Sequence, residues 1–165
     1  MATKASFTLE EWTLLRLAPS MVASGVAASD PSGLFSSIKE AAAGAGGIAE
    51  ALKLASSLEL FSSLEADHSL PGMPDLRELL GEGSREQQMQ NFKTGVLERV
   101  KAAADIVARK ATPAEATAYR RMLVEIADRA AKASSEGSFL GLGGVRVSDK
   151  EKAFLAEVST AVGEG

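Results

Sequence analysis

Residues 84–133 read SREQQMQNFKTGVLERVKAAADIVARKATPAEATAYRRMLVEIADRAAKA, and this stretch decides the fold class. Its apolar side chains recur every three or four residues, first at Met89, Phe92, Val96, Val100, Ala103 and Val107 and then at Tyr119, Leu123, Ile126, Ala130 and Ala133. Such spacing is typical of amphipathic α-helices. Between the two series, Thr112, Pro113 and Glu115 supply an N-cap, a first-turn proline and an N3 glutamate. The pattern predicts an antiparallel helical hairpin at about residues 84–134.

The N-terminal part of the chain predicts a buried helix. Thr8 and Glu11 form a capping box, so we expect this helix to begin at Leu9. Its apolar residues lie on more than one face, which is typical of a central helix. Pro19 lacks the backbone N–H that the helical ladder needs, and we expect it to kink or split the helix at about Ala18. A strip of small residues on one side favours the close approach of another backbone: Ser20, Ser24 and Ala28.

The remaining segments complete an all-α prediction. Asp30 and Pro31 read as the start of a second helix, which we expect to hinge near Gly46-Gly47 and to continue through Leu54, Leu58 and Phe61. Residues 66–83 are loop-rich, with a short helix from Asp75 to Leu80, and Ser148 with Glu151 starts a last helix. The sequence therefore predicts one helical domain over residues 1–165, a bundle of five to seven helices.

Composition narrows the functional classes. The chain of 165 residues contains no cysteine, so it has neither disulfides nor thiolate metal ligands. No secretory signal is visible, and the longest apolar stretch, Leu17–Ala28, is far shorter than the roughly 20 residues of a membrane-spanning helix. We therefore expect a cytoplasmic protein with no transmembrane segment.

Catalytic signals are scarce. His68 is the one histidine of the sequence, and it follows Glu65 with Glu-x-x-His spacing. Helical di-iron sites contain two copies of this motif. A second copy is missing, so an exposed surface histidine is the expectation. Without cysteine or a Ser-His constellation, nucleophilic catalysis has little basis. We expect no enzymatic activity and no cofactor.

Two helix starts carry oxygen ligands of the kind that Mg²⁺ or Ca²⁺ prefers: Asp30, Ser32 and Glu40, and Ser148, Asp149 and Glu151. Helix capping accounts for both. Over about a dozen residues each, the two segments resemble the helix starts of TerB-like tellurite-resistance domains, although the clustered acids of that family's metal site are missing. This resemblance implies a small metal-binding or stress-response helical domain, which is a weaker functional alternative.

Residues 84–134 are basic, with a net charge of +4 in a chain of net charge −4. The cations near the predicted elbow are Arg109, Lys110, Arg120, Arg121, Arg129 and Lys132. Glu125/Arg129 and Asp128/Lys132 have the spacing of helical ion pairs. Because acids are interspersed and no exposed aromatic residue is expected among these cations, we expect no nucleic-acid partner.

The Gly-rich stretch 137–148, GSFLGLGGVRVS, interrupts the helical pattern. A phosphate cradle would follow a strand or carry a GK[ST] motif, and this stretch does neither. Its apolar residues favour a core plug between two helices, and the alternative is an exposed loop that docks a partner. If it docks a partner, the candidate binding residues are Phe139, Leu140, Leu142 and Arg146.

These observations predict a non-enzymatic helical interaction or scaffold protein that binds a protein partner or associates with itself. The principal alternative is a protein that binds a hydrophobic small molecule or lipid between alanine-rich helices.

Overall fold

The computed structural model describes residues 1–29, 47–69, 75–136 and 147–163, and every regular element in those ranges is helical. The α-helices are α1 (Leu9–Ser29), α2 (residues 47–54), α3 (Glu59–Ala66), α4 (Leu76–Leu80), α5 (Arg85–Lys110), α6 (Pro113–Glu136) and α7 (Asp149–Val162); a 3₁₀ helix covers Lys4–Ser6. Together they enclose one hydrophobic cluster. The predicted all-α bundle is confirmed.

Helix α1 is the centre of the bundle, as its apolar pattern predicts. It begins at Leu9, where the Thr8 backbone N–H donates to Glu11 at 2.8 Å and the Glu11 N–H donates to the Thr8 hydroxyl at 3.2 Å. Helices α5, α6 and α7 all contact it, and α5 and α6 contact α1 more extensively than they contact each other. Trp12, Leu15 and Val22 of this helix are buried.

Pro19 does not split α1. The helix runs without interruption from Leu9 to Ser29, so a split at about Ala18 is excluded, whereas a kink there stays a prediction. Proline at position 19 leaves the Leu15 carbonyl, four residues earlier, without a helical donor. The Tyr119 hydroxyl of α6 supplies that donor at 2.7 Å. A tertiary hydrogen bond thus replaces the missing backbone bond.

Helices α5 and α6 are joined by Ala111 and Thr112 alone. The start of α6 is capped as expected: the Thr112 N–H donates to Glu115 at 2.9 Å, and the Glu115 N–H donates to the Thr112 hydroxyl at 3.3 Å. At the start of α5, Ser84 accepts from the Gln87 N–H at 3.2 Å, whereas the Gln87 side chain donates to Asn91. Of the two hydrogen bonds of a capping box, only the one to the Ser84 hydroxyl therefore forms there.

Helix α7 closes the bundle against α1, α5 and α6. The Ser148/Glu151 capping box that begins it is confirmed, with hydrogen bonds of 2.8 and 3.2 Å. Its Phe154 ring packs on Gly25 of α1 so closely that a Cβ at position 25 would lie 2.4 Å from the ring. The close approach expected along the Ser20/Ser24 strip therefore occurs on another face of α1, because both serines are exposed.

The segment 47–69 departs most from the sequence prediction. Helix α2 ends at residue 54, a turn follows over residues 55–57, and α3 begins anew at Glu59, so the predicted continuous helix through Leu58 is wrong. The Ala55 backbone N–H still donates to the Ala51 carbonyl of α2 at 3.2 Å, and the Leu58 N–H donates to the Ala55 carbonyl in the turn at 2.9 Å. The second helix start at Asp30 lies outside the described residues, as does Gly46; the hinge near Gly46-Gly47 stays a prediction, and Gly47 is the first described residue of α2.

The loop-rich segment 66–83 contains helix α4 as predicted, with Asp75 as its N-cap and Gly81 as its C-cap. Across the described ranges, no helix combines the length and the apolar character that crossing a membrane requires.

Candidate functional site

An apolar groove on the protein surface separates α2 and the start of α3 from the N-terminal half of α6. It has a volume of about 550 Å³. Small and apolar side chains make most of its wall: Ala51, Leu54, Ala55, Phe61, Pro113, Ala114, Thr117, Ala118 and Met122. The volume falls within the range of ligand clefts, roughly 300–1,000 Å³. The groove therefore has the dimensions and the lining of a binding surface.

Leu54 stands at the rim of this groove with 74% of its surface exposed. The sequence prediction includes Leu54 among the apolar residues of the second helix without assigning it to a face, and the structure places its side chain on the exposed side. Ile48 and Leu52, one helical turn apart, lie on the partly buried side of α2, together with the buried Ala51. Leu54 is two residues after Leu52, which is about 200° further around a helix. Counting that angle is the sequence signal that would have identified it as exposed.

The remaining two lining residues of the groove carry opposite charges. Arg121 and Glu125 lie four residues apart on α6, and both are exposed. Among the described residues, neither has an opposite charge within ion-pair distance. The expected Glu125/Arg129 pair does not form, because Arg129 binds Glu50 of α2 at 2.5 Å instead. That hydrogen bond lowers the pKa of Glu50 and raises the pKa of Arg129.

A smaller cavity of about 250 Å³ lies between α1, α2 and the end of α3. Its apolar wall consists of Leu15, Pro19, Ile48, Ala49, Leu52, Leu64 and Met122, and its polar wall of Arg16, Glu65 and Asp67. Met122, which is buried, lines both this cavity and the groove. Helix α2 thus has open space on two sides, the groove and the smaller cavity, and the Met122 side chain borders both.

Asp67 holds the polar end of the smaller cavity together. Its carboxylate accepts hydrogen bonds from Lys4 Nζ at 2.8 Å, from Trp12 Nε1 at 2.8 Å and from the Ser69 backbone N–H at 3.0 Å. Arg16 donates to the backbone carbonyls of Asp67 and Ser69. The hydrogen bonds from Lys4, Ser69 and Trp12 hold the pKa of Asp67 well below its usual range. This network, which the sequence did not indicate, fixes the end of α3 to α1.

Glu115 is a buried carboxylate with a structural role wider than its capping box. Besides Thr112, its oxygens accept from the backbone N–H groups of Leu60 at 3.0 Å and Ala2 at 3.2 Å. Leu60 lies in the first turn of α3, where a negative charge is favoured by the helix dipole. Burial raises the pKa of Glu115, but the hydrogen bonds from Thr112, Leu60 and Ala2 outweigh it and lower the pKa overall.

The predicted site residues Phe139, Leu140, Leu142 and Arg146 lie outside the described residues, as does the stretch 137–146 as a whole. Whether the Gly-rich connection is a core plug or a docking loop therefore stays a prediction. At its end, Val147 packs partly buried against the core, and Ser148 is occupied in capping α7.

The other candidates from the sequence have ordinary surroundings. His68 is exposed, as expected. Of the two oxygen-rich helix starts, Asp30, Ser32 and Glu40 lie outside the described residues, while Glu151 is buried in its capping box. Within the described part of the chain, no three acidic or histidine side chains come together as metal ligands do.

Three of the six basic residues expected near the turn between α5 and α6 form ion pairs. Lys110 pairs with Glu11, Arg129 with Glu50 and Lys132 with Asp128, each at 2.5 Å. Arg120 is half-buried, and its Nε atom has no hydrogen-bond partner among the described residues. This leaves Arg121 as the cation associated with the groove.

Comparison with family models, with curated proteins and with solved structures gives no match for this chain.

Proposed function

We propose that the protein is a non-enzymatic helical interaction module that holds a helix of a protein partner in the groove between α2 and α6. The observation that carries this proposal is the exposure of Leu54 beside an alanine-lined groove of about 550 Å³. Large apolar side chains that rim an apolar depression are typical of protein-binding surfaces. A groove between two helices is the kind of surface into which an amphipathic helix lays its apolar face.

The side chains of the groove favour a helix over an extended peptide. Ala114, Thr117 and Ala118 have small side chains, so little side-chain bulk projects from this face of α6. Small contact residues allow two helices to approach toward the short end of the usual interaxial range of roughly 8–10 Å. An extended segment would instead need unpaired backbone groups, which a strand edge offers and a helical surface does not.

Photochemical crosslinking in the cells of origin tests this proposal. A benzoylphenylalanine at position 54 should form an adduct with a protein, and the same probe at position 9 should not. Leu9 is a matched control because it is a leucine of similar exposure, 78% against 74%, outside the groove. Filling the groove with Ala118→Trp should abolish the adduct, whereas Leu9→Trp should leave it unchanged. Equal adducts at both positions, or none at position 54, would contradict the proposal.

The smaller cavity favours a second candidate function, the binding of a hydrophobic small molecule. Its apolar wall comes from four helices, and its volume of about 250 Å³ limits the ligand to a compact molecule. Native mass spectrometry of the purified protein should then show a bound ligand that Leu52→Trp removes. A wild-type spectrum with the bare protein mass alone would eliminate this candidate.

A further inference from the structure

We infer that the smaller cavity binds a compact organic cation, namely an apolar molecule that carries one amino group. This inference rests on the second candidate function, for which it names the class of ligand. Glu65, an exposed glutamate in an otherwise largely apolar lining, carries the argument together with the way in which its charged neighbours are already bonded.

The apolar wall of the cavity suits the body of such a molecule. Leu15, Leu64 and Met122 are buried, so this part of the lining is closed off by the core of the protein. Ile48 and Leu52 of α2 are only partly buried, and part of their apolar surface stays in contact with water. A ligand that covers this surface is stabilised by the hydrophobic effect.

Two of the three charged lining residues are bonded within the protein. Asp67 accepts hydrogen bonds from Trp12 and from Lys4, which stands outside the lining. Arg16 donates to the backbone carbonyls of Asp67 and Ser69. The Arg16 guanidinium also lies 3.5 Å from the Asp67 carboxylate. A ligand would have to break these interactions to bind either side chain.

Glu65 is the charged lining residue that remains available to a ligand. Among the described residues, it has no ion pair. Because Glu65 is exposed, an ammonium group beside it keeps part of its hydration and avoids the full cost of burying a charge.

The sign of the charge in the lining favours a cation over an anion. One guanidinium, that of Arg16, stands against the two carboxylates of Glu65 and Asp67, which gives the lining a net charge of −1. An anionic head group would meet this excess of negative charge, whereas an amine, protonated at neutral pH, would pair with Glu65.

A titration with three ligands of equal chain length, hexylamine, 1-hexanol and hexanoate, tests the inference at neutral pH. The methyl NMR signals of Leu64 report binding in the cavity, because Leu64 lines it and does not line the groove. The dissociation constant of hexylamine should lie at least about threefold below that of hexanol and about tenfold below that of hexanoate, as expected for one ion pair at an exposed carboxylate.

Glu65→Gln removes the charge and keeps the size of the side chain. In this variant hexylamine should bind at least about threefold more weakly, whereas the affinity for hexanol should stay within about twofold of the wild-type value. Glu59→Gln is the matched control, because it removes the same charge from α3 outside the cavity lining. It should leave the affinity for hexylamine unchanged.

Two results would overturn the inference: hexanol or hexanoate that binds as tightly as hexylamine, or a preference for the amine that persists in Glu65→Gln. In either case, binding of hexanol in the cavity would still support the second candidate function, so the two proposals fail separately. Leu64 signals that do not shift with any of the three ligands would eliminate both.

Discussion

The hydroxyl of Tyr119 donates a hydrogen bond of 2.7 Å to the carbonyl of Leu15, the acceptor that Pro19 deprives of its helical donor. Both groups are buried, and 104 residues separate them in the chain. A buried carbonyl without a donor would be unfavourable, since it loses its hydrogen bonds to water on folding. The bond from α6 therefore explains why α1 continues through its proline.

We expect Tyr119→Phe to lower the free energy of unfolding by about 1–3 kcal/mol, because it leaves the Leu15 carbonyl buried without a partner. Chemical denaturation measures the change. Burial also raises the pKa of Tyr119, so the hydroxyl stays protonated and available as a donor throughout the neutral range.

A double-mutant cycle with Pro19→Ala identifies the cause. Alanine at position 19 supplies a backbone N–H, which can donate a hydrogen bond to the Leu15 carbonyl as in a regular helix. In that background, Tyr119→Phe should be less destabilising by about 1 kcal/mol. Equal losses in both backgrounds would show that the hydroxyl acts elsewhere.

This pair also shows the limit of sequence reasoning about the fold. The helical spacing of Tyr119 predicts its burial, and the chemistry of proline predicts a break at Pro19; each follows from local rules. Tyr119 compensates for Pro19 only because of the way in which α6 packs against α1. Only the tertiary structure contains that information.

Glu115 gives a second prediction, about pH. Its hydrogen bonds lower its pKa below the ordinary value of 4.5, so the charged form stabilises the fold above about pH 4.5, and this stabilisation is lost as the pH falls through the folded-state pKa. Glu115→Gln should lower the free energy of unfolding at pH 7 by about 2 kcal/mol, since a neutral amide is a weaker acceptor for three backbone N–H groups.

The difference between wild type and Glu115→Gln should shrink as denaturation is repeated from pH 7 to pH 3. Glu157→Gln, at an exposed position of α7, is the matched control and should change stability by less than about 0.5 kcal/mol. A loss that does not depend on pH would mean that the charge of Glu115 contributes nothing.

Trp12 reports on the Asp67 network, because it is the one tryptophan of the chain and its Nε1 donates to Asp67 at 2.8 Å. The Lys4 hydrogen bond is the largest cause of the low pKa of Asp67. Lys4→Ala should therefore raise that pKa, and the acid transition in Trp12 fluorescence should move to higher pH. Lys53→Ala, which removes an exposed lysine of α2, should leave the transition where it is in the wild type. Identical transitions in the wild type and both variants would show that Lys4 does not affect the pKa of Asp67.

The candidate site was less predictable than the fold. Alanine-rich helical faces favoured surfaces of close approach, but the groove depends on where α2 ends and on the turn at residues 55–57. That turn contains no proline or glycine, so its sequence offers no strong signal for a break. Leu54, which precedes this turn, is 74% exposed. Its apolar character alone suggests a core residue, but its position about 200° around the helix from Leu52 predicts exposure.

Gly25 provides the last prediction, about packing between α1 and α7. A glycine-to-alanine change inside a helix ordinarily stabilises a protein by up to about 1 kcal/mol. At position 25 the added Cβ would lie 2.4 Å from Cζ and 2.7 Å from Cε1 of Phe154, whose ring is buried. We therefore expect Gly25→Ala to lower the free energy of unfolding by about 1–3 kcal/mol, as overpacking does.

Shortening the opposing side chain should reverse this loss. Phe154→Leu removes the ring atoms that meet the new Cβ, so the double variant should be more stable than the sum of the two single changes predicts. Gly95→Ala is the control: its Cβ would meet Leu79 Cδ2 at 2.7 Å, the end of a flexible side chain on the short helix α4, and it should destabilise less. If chemical denaturation shows that the stability losses at positions 25 and 154 simply add, the ring and the new Cβ do not compete for the same space. The loss from Gly25→Ala would then come from α1 and α7 moving apart.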